Sequence, residues 1–325
     1  MCLEFIEEVV EMMRDGIKRL IRLIPDSLFL RYKFYKTMNQ KLDLNHPKTF
    51  NEKIQWLKLF DRNPDYPAMA DKAEVKRIVS EKLGEEYVIP TLGVWDHFDE
   101  IDFDSLPNQF VLKCTHDSGS YIICKDKNIL DLSAARTKLE TCLNKNFYWW
   151  GREWVYKDIK PRILAEQYMC NDDSVPLELQ EFSDYKFYCF NGVVDCVMVC
   201  IDRAAGDTKY YFFDRDWQLL RINRRGLEAS KDFSLPKPQK YDEMFEAAEK
   251  LSKGIPFVRV DLYQSNGRVY FGEMTFYPDA GFDKAYLPET DLYFGSKIDL
   301  SLAYNNRNKR RKNEQYRFSY QPKRE

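Results

Sequence analysis

The sequence predicts an α+β fold, with a helical N-terminal region leading into antiparallel hairpins interleaved with helices. Three observations carry that expectation. Thr49 and Glu52 form a T-x-x-E capping box ahead of Ile54, Leu57 and Phe60 at helical spacing. Asn191-Gly192 separates two apolar, β-rich runs at 185–190 and 193–201, a strong hairpin signal. A second pair of runs, 257–263 and 268–276, flanks Ser265-Asn266-Gly267.

In chain order, residues 3–24 place Ile6, Val9, Val10, Met13, Ile17, Leu20, Ile21 and Ile24 on one helical stripe, which Pro25 closes. Lys18, Arg19 and Arg22 cluster toward its end, where cations suit the helix dipole. Packing against the body of the protein or a partner is the preferred reading of this helix, and a membrane surface is the alternative. After the helix capped by Thr49, another is expected over 69–83, stopping at Gly84. Short β-rich runs follow at 110–114, 121–125 and 163–169, with helices expected over 132–145 and 241–253.

Composition narrows the class. Of 325 residues, 44% are hydrophobic and 31% charged, which excludes a largely disordered chain. Eight cysteines without a C-x-x-C pair argue against a zinc framework or a disulfide scaffold, so a cytoplasmic protein is expected. Glu4, Glu7, Glu8 and Asp15 break the first apolar pattern and exclude a signal-peptide core, and no apolar run is long enough to span a bilayer. The net charge of −2 hides an asymmetry: residues 305–325 hold eight basic residues against Glu314 and Glu325, a local +6 that leaves −8 on the rest. A solvated end is the preferred reading of that tail, with an anionic lipid or glycan as the alternative and no nucleic-acid partner expected.

The segment FVRVDLYQSNGRVYFGEMTFYP is the most informative. Val258, Val260 and Leu262 alternate with Arg259 and Asp261, so one strand face is apolar and the other charged. A two-residue Asn-Gly turn would pair 260 with 273 and set the two acids on opposite faces. A three-residue loop with Gly267 in a bulge would pair 259 with 273 and 261 with 271, gathering Arg259, Asp261, Glu273 and Thr275 on one face. Two carboxylates beside an arginine suit a magnesium ion bound to phosphate oxygens. The competing reading is an ordinary cross-strand Arg259–Glu273 pair on a solvated face.

Other charged positions are weaker alone. FVLKCTHDSGSYIICK puts Lys113 on a strand entering a small-residue loop that could approach phosphates, yet it matches neither a Walker nor a Rossmann pattern. His116 reads first as a loop hydrogen-bonder. Asp71-Lys72 opens a helix, and Lys76 and Arg77 after it read as a solvated basic face. Lys186 in Asp184-Tyr185-Lys186-Phe187 is a charge in an apolar strand, which needs a partner or a cleft. Asp102-Phe103-Asp104 and Asp214-Arg215-Asp216 both read D-x-D, so a nucleotide-sugar glycosyltransferase is the alternative reading. A catalytically silent scaffold is the third.

In series, these features resemble the ATP-grasp superfamily. More closely, KTFNEKIQWLKLFDRNP, ADKAEVKRIVSEKLGEEYVIPTLGVWD, LPNQFVLKCTHDSGSYIICKDK, KPRILAEQYM, DYKFYCFNG and PFVRVDLYQSNGRVYFGEMTFYPDAGF are similar to the TupA-like ATP-grasp family over about residues 45–298. The resemblance implies two lobes of antiparallel sheet plus helices with ATP between them. It divides the chain into a helical region (1–68), a smaller lobe (69–165), a larger lobe with the metal site (166–304) and the basic tail. It implies ATP and Mg2+ as cofactors, and a ligase joining a carboxylate-bearing sugar or glycan of a bacterial cell-surface polysaccharide to a small amine. Lys72, Lys113, His116 and the loop Ser118, Gly119 and Ser120 would hold phosphates. Glu166, Gln167 and Tyr168 would meet the adenine edge, and Asp184 and Lys186 the ribose or phosphates. Asp261, Glu273 and Thr275 would face the metal, with Arg259 and Lys186 catalytic. Many superfamily members carry asparagine where Thr275 stands, and YPDAG replaces a commoner glycine-led turn.

Overall fold

The computed structural model describes residues 16, 20–169, 184–201 and 208–303. Most of the helix expected over 3–24 lies outside the described residues, as does the basic tail. Residues 20–23 are helical and stop short of Pro25, whose ring and missing N–H prevent continuation.

A helix the sequence reading did not place, α1 (Asp26–Met38), follows at once and ends with Asn39 in the left-handed conformation, φ 54°. Its Leu30 and Phe34, one turn apart, pack with Leu42, Leu44 and Phe282. Helix α2 (Phe50–Phe60) starts at the expected capping box: Glu52 N–H donates to Thr49 Oγ1 at 3.2 Å, and Thr49 N–H to Glu52 Oε2 at 3.1 Å. The single helix expected over 69–83 is instead two, α3 (Tyr66–Ala70) and α4 (Glu74–Leu83). Asp71 causes the break. Its Oδ1 accepts from the Ala73 and Glu74 amides at 2.8 and 3.2 Å, so it caps a new helix rather than continuing the old one.

Two antiparallel sheets follow. The smaller runs β1 (Thr91–Trp95), β4 (Ile163–Gln167), β2 (Phe110–Cys114), β3 (Tyr121–Cys124) in spatial order. The larger runs β10 (Arg268–Thr275), β9 (Phe257–Ser265), β5 (Asp184–Phe190), β6 (Val193–Ile201), β7 (Lys209–Phe213), β8 (Leu219–Leu220). Strands β1, β7 and β8 were not expected from the sequence; β1 is only five residues with Gly93 at its centre, too short to alternate.

The smaller sheet buries Leu112, Cys114, Ile163 and Ala165 against Leu139 of α5 (Leu132–Leu143) and against Phe98 and Leu106. Its other face is left with Val111, Lys113, Leu164 and Glu166, since side chains alternate along each strand. The larger sheet packs one face on α6 (Tyr241–Ser252), with Phe187 and Phe245 edge to face at 5.4 Å. At one end of its opposite face, Phe50 of α2 and Phe294 of α7 (Pro288–Lys297) cover Phe190 and Phe257. Toward the other end that same face carries Asp184, Lys186, Arg259 and Asp261. The lobes are joined by α4, whose Val75 and Val79 enter the larger core, and by Tyr87, whose hydroxyl donates to Glu243 Oε1 at 3.0 Å.

Candidate active site

The β9–β10 hairpin gathers its charges by a route different from the one expected. The turn is the two-residue Asn266-Gly267, both left-handed at φ 49° and 69°, with Ser265 opposite Arg268. That register alone would set Glu273 opposite Val260. A bulge at Gly272 shifts it by one, so Asp261 faces Glu273 and Arg259 faces Thr275, not 271 and 273. Arg259, Asp261, Glu273 and Thr275 therefore share one face. Gly272 is required there by close approach: a Cβ would stand 2.6 Å from the Tyr263 ring and 3.1 Å from the Asp261 carbonyl.

Neighbouring β5 completes the cluster, with Lys186 directly opposite Asp261 and Tyr188 opposite Arg259. Arg259 grips both Asp261 oxygens at 2.7 Å, and its Nη2 also reaches Glu273 Oε1 at 3.2 Å and Thr275 Oγ1 at 3.0 Å. Lys186 Nζ bridges Asp184 Oδ2 at 2.5 Å to Asp261 Oδ2. The solvated cross-strand pair considered from the sequence is thus replaced by a mostly buried network. Burial alone would raise the Asp261 pKa, but Arg259 and Lys186 outweigh it and hold the carboxyl below the ordinary value. Burial likewise disfavours the Lys186 ammonium, and Asp261 and Asp184 more than restore it. Three carboxylates face two cations, and Glu273 is the most exposed of them.

The smaller lobe presents a second charged cluster. Glu166 is buried and held by two lysines: Lys76 Nζ lies 2.6 Å from Oε1, and Lys113 bonds Oε2. Burial would raise this carboxyl too, but Lys113 and Lys76 keep it below the ordinary value. Lys76 also donates to the Ile89 carbonyl at 2.6 Å, so it belongs to this cluster rather than to a solvated face. Gln167 is exposed and Tyr168 half-buried just beyond Glu166.

Lys72 donates to the carbonyls of Cys114 at 3.2 Å and of Asp117, fastening the end of α3 to the loop after β2. Within that loop Ser120 Oγ donates to Asp117 Oδ1 and accepts from the Cys114 amide at 3.1 Å. Ser118 and Gly119 at its tip are exposed, and Gly119 is left-handed at φ 88°. His116 is buried with Nε2 at 3.2 and 3.0 Å from the carbonyls of Cys142 and Lys145, which anchors the loop to the end of α5. The two D-x-D motifs are turns. Asp102 Oδ1 accepts from the Asp104 amide at 3.1 Å, and Asp214 Oδ1 from the Asp216 and Gln218 amides at 3.0 and 2.8 Å.

Among the described residues no group of three or more His, Cys, Asp or Glu is arranged to hold a metal by itself. Magnesium takes one or two carboxylates and completes its shell with phosphate oxygens and water. Asp261 and Glu273 are the carboxylates available on the hairpin face, with the Thr275 hydroxyl beside them.

The TupA-like ATPgrasp family model matches residues 52–299. Among solved structures, the D-alanine–D-alanine ligase of Helicobacter pylori aligns at 13% identity, with a TM-score of 0.41, over 77% of this chain and 69% of that one. The D-alanine–D-alanine ligase of Bacillus anthracis complexed with ATP aligns at 15%, with a TM-score of 0.42, over 80% and 73%. The D-cycloserine synthetase DcsG aligns at 14%, with a TM-score of 0.38, over 72% and 71%. A search of curated proteins finds no match. With its matched segment spanning both sheets and both charged clusters, the chain belongs to the TupA-like ATP-grasp family.

Proposed function

We propose that this protein is an ATP- and Mg2+-dependent carboxylate–amine ligase that works through an acyl phosphate. The family supports the nucleotide chemistry. The observation that carries the reading is the face on which Lys186, Arg259, Asp261, Glu273 and Thr275 converge.

A carboxylate resists attack by amines, so it must first be activated. One of its oxygens attacks the γ-phosphorus, an O–P bond forms, and the bond to the β-phosphate oxygen breaks to release ADP. The amine nitrogen then attacks the acyl carbon, forms the C–N bond, loses a proton and expels phosphate. Arg259 and Lys186 would neutralise negative charge on the transferring group. Asp261 and Glu273, with Thr275, would hold the magnesium ion, which supplies Lewis-acid charge at the phosphates when bound. In the smaller lobe Lys113 and Lys76 would meet phosphates, with Glu166 orienting both ammonium groups near the adenine edge formed with Gln167 and Tyr168. Lys72 and Ser120 would fix the loop so that Ser118 and Gly119 cover the nucleotide and exclude water. Asp184 would act through Lys186, and His116 through the anchoring of its loop.

The substrate pair proposed is a uronic acid or similar carboxylate of a bacterial cell-surface polysaccharide and an amino acid or other small amine, in the cytoplasm; this pairing is carried by the family resemblance. No helix among the described residues is long and apolar enough to cross a membrane. The test is ADP release from ATP and Mg2+ with uronic acid-containing glycans and an amino-acid pool. ADP formation that depends on the amine is expected. Consumption of a sugar nucleotide without ATP cleavage would replace this reading with a glycosyltransferase.

A further inference from the structure

We propose that the outer face of α1, with residues 20–24 before it, is a docking surface for an anionic lipid bilayer. The inner face of α1 is satisfied by Leu30 and Phe34 in the core. The outer face is apolar as well: Leu28, Tyr32 and Tyr35 recur at i, i+4 and i+7, and they are 58%, 64% and 53% exposed. Leu23 just upstream is 79% exposed, and Leu20 and Ile24 are exposed beside it. A helix apolar on both sides is normally covered on both. Here only one side is covered by the described residues.

Charge identifies the occupant. Residues 20–41 contain Arg22, Arg31, Lys33, Lys36 and Lys41 and a single acid, Asp26. That acid faces inward, where both its oxygens accept from the Tyr148 hydroxyl at 2.7 Å and Arg152 approaches at 3.5 Å. Lys36 and Lys41 are exposed. Arg22 lies over the Trp149 ring, while Arg31 and Lys33 donate to the carbonyls of Leu42 and Trp150. The surface therefore combines aliphatic side chains, two amphipathic phenols and the exposed cations Lys36 and Lys41, the composition of a helix lying in an anionic headgroup layer. A second copy docked on the same face would bring like charges together, which disfavours a symmetric dimer. The surface is distinct from both charged clusters of the candidate site, so this inference stands whether or not the ligase reading does.

The test is co-sedimentation of the full chain with vesicles of phosphatidylcholine alone and with added phosphatidylglycerol, at low and high salt. Binding only to the anionic vesicles, weakened by salt, is expected. A Leu28→Ser/Tyr32→Ser/Tyr35→Ser variant should lose about tenfold or more in partition. A Lys36→Glu/Lys41→Glu variant, which changes only exposed charge, should lose about tenfold or more as well. The proposal is overturned if the full chain stays in solution with anionic vesicles. It is equally overturned if a folded form of either variant binds as the parent does, which would point to the basic tail. Self-association of the parent that the triple variant abolishes, without lipid binding, would make the face a protein interface and overturn it too.

Discussion

Replacing Arg259 with methionine removes the one side chain that touches every other member of the hairpin cluster. It deletes two 2.7 Å bonds to Asp261 and the contacts at 3.2 Å to Glu273 and 3.0 Å to Thr275. Asp261 remains buried, with Lys186 as its remaining close cation. Breaking a buried ion pair by removing one partner costs about 3–5 kcal/mol, and the surviving lysine places this variant near the lower end. At about 2–4 °C per kcal/mol for a larger domain, melting should fall by about 6–12 °C. The loss should depend on pH with a definite sign. Asp261 is held below its ordinary pKa, so its contribution is present above the unfolded-state value and disappears as pH falls through the folded one. Thermal melts of the two proteins should therefore lie far apart at neutral pH and converge in acid. ADP formation should be lost even at temperatures where the variant is folded. A variant that melts within about 1 °C of the parent at neutral pH would refute the electrostatic account of this face.

Three further outcomes follow from the same geometry. Gly272→Ala should cost about 1–3 kcal/mol in urea unfolding and lower ADP formation, because the new Cβ meets Tyr263 and the Asp261 carbonyl at the bulge that faces Glu273 inward. Glu153 is buried, and burial pushes its carboxyl up from 4.5 to about 7 against the opposing pull of the Lys58 and Lys33 ammonium groups. A raised acid favours the folded state below the unfolded value and loses that advantage as pH rises through about 7, so Glu153→Gln should gain about 3 kcal/mol relative to the parent above pH 7 and almost nothing near pH 4; equal gains at both would contradict this. Asp104→Asn and Asp216→Asn should leave ADP formation unchanged, since the acids of both D-x-D motifs lie in turns of their own loops.

The legible parts of the fold were those fixed by local chemistry. The Thr49–Glu52 box, the Asn191-Gly192 hairpin and the alternation through Arg259 and Asp261 each depend on a few adjacent residues, and each stands in the structure. The hairpin face was reached with the wrong register. A bulge four residues from the turn has the same effect on facing as a longer loop, and only the packing of Tyr263 against Gly272 distinguishes them. What stayed hidden depended on distant partners. Lys76 looked like a surface residue because Glu166, which neutralises it, lies far along the chain on β4. A helix opening at Asp71 was legible because its cap on the Ala73 and Glu74 amides is local, whereas the short separate helix α3 before it and the pairing of Asp71 with Arg162 at 2.9 Å were not. Helix α1 escaped notice because its apolar residues do not segregate to one side, the property that the docking proposal uses.

The most direct test of the central claim is calorimetric titration of ATP into the parent and into Glu273→Gln, each with and without Mg2+. ATP should bind both proteins, strengthened by Mg2+ in the parent and not in the variant, in which a neutral amide replaces the half-exposed carboxylate. Failure of the parent to bind ATP, or an equal Mg2+ effect in both proteins, would contradict the assignment of this sheet face to the metal-bound nucleotide.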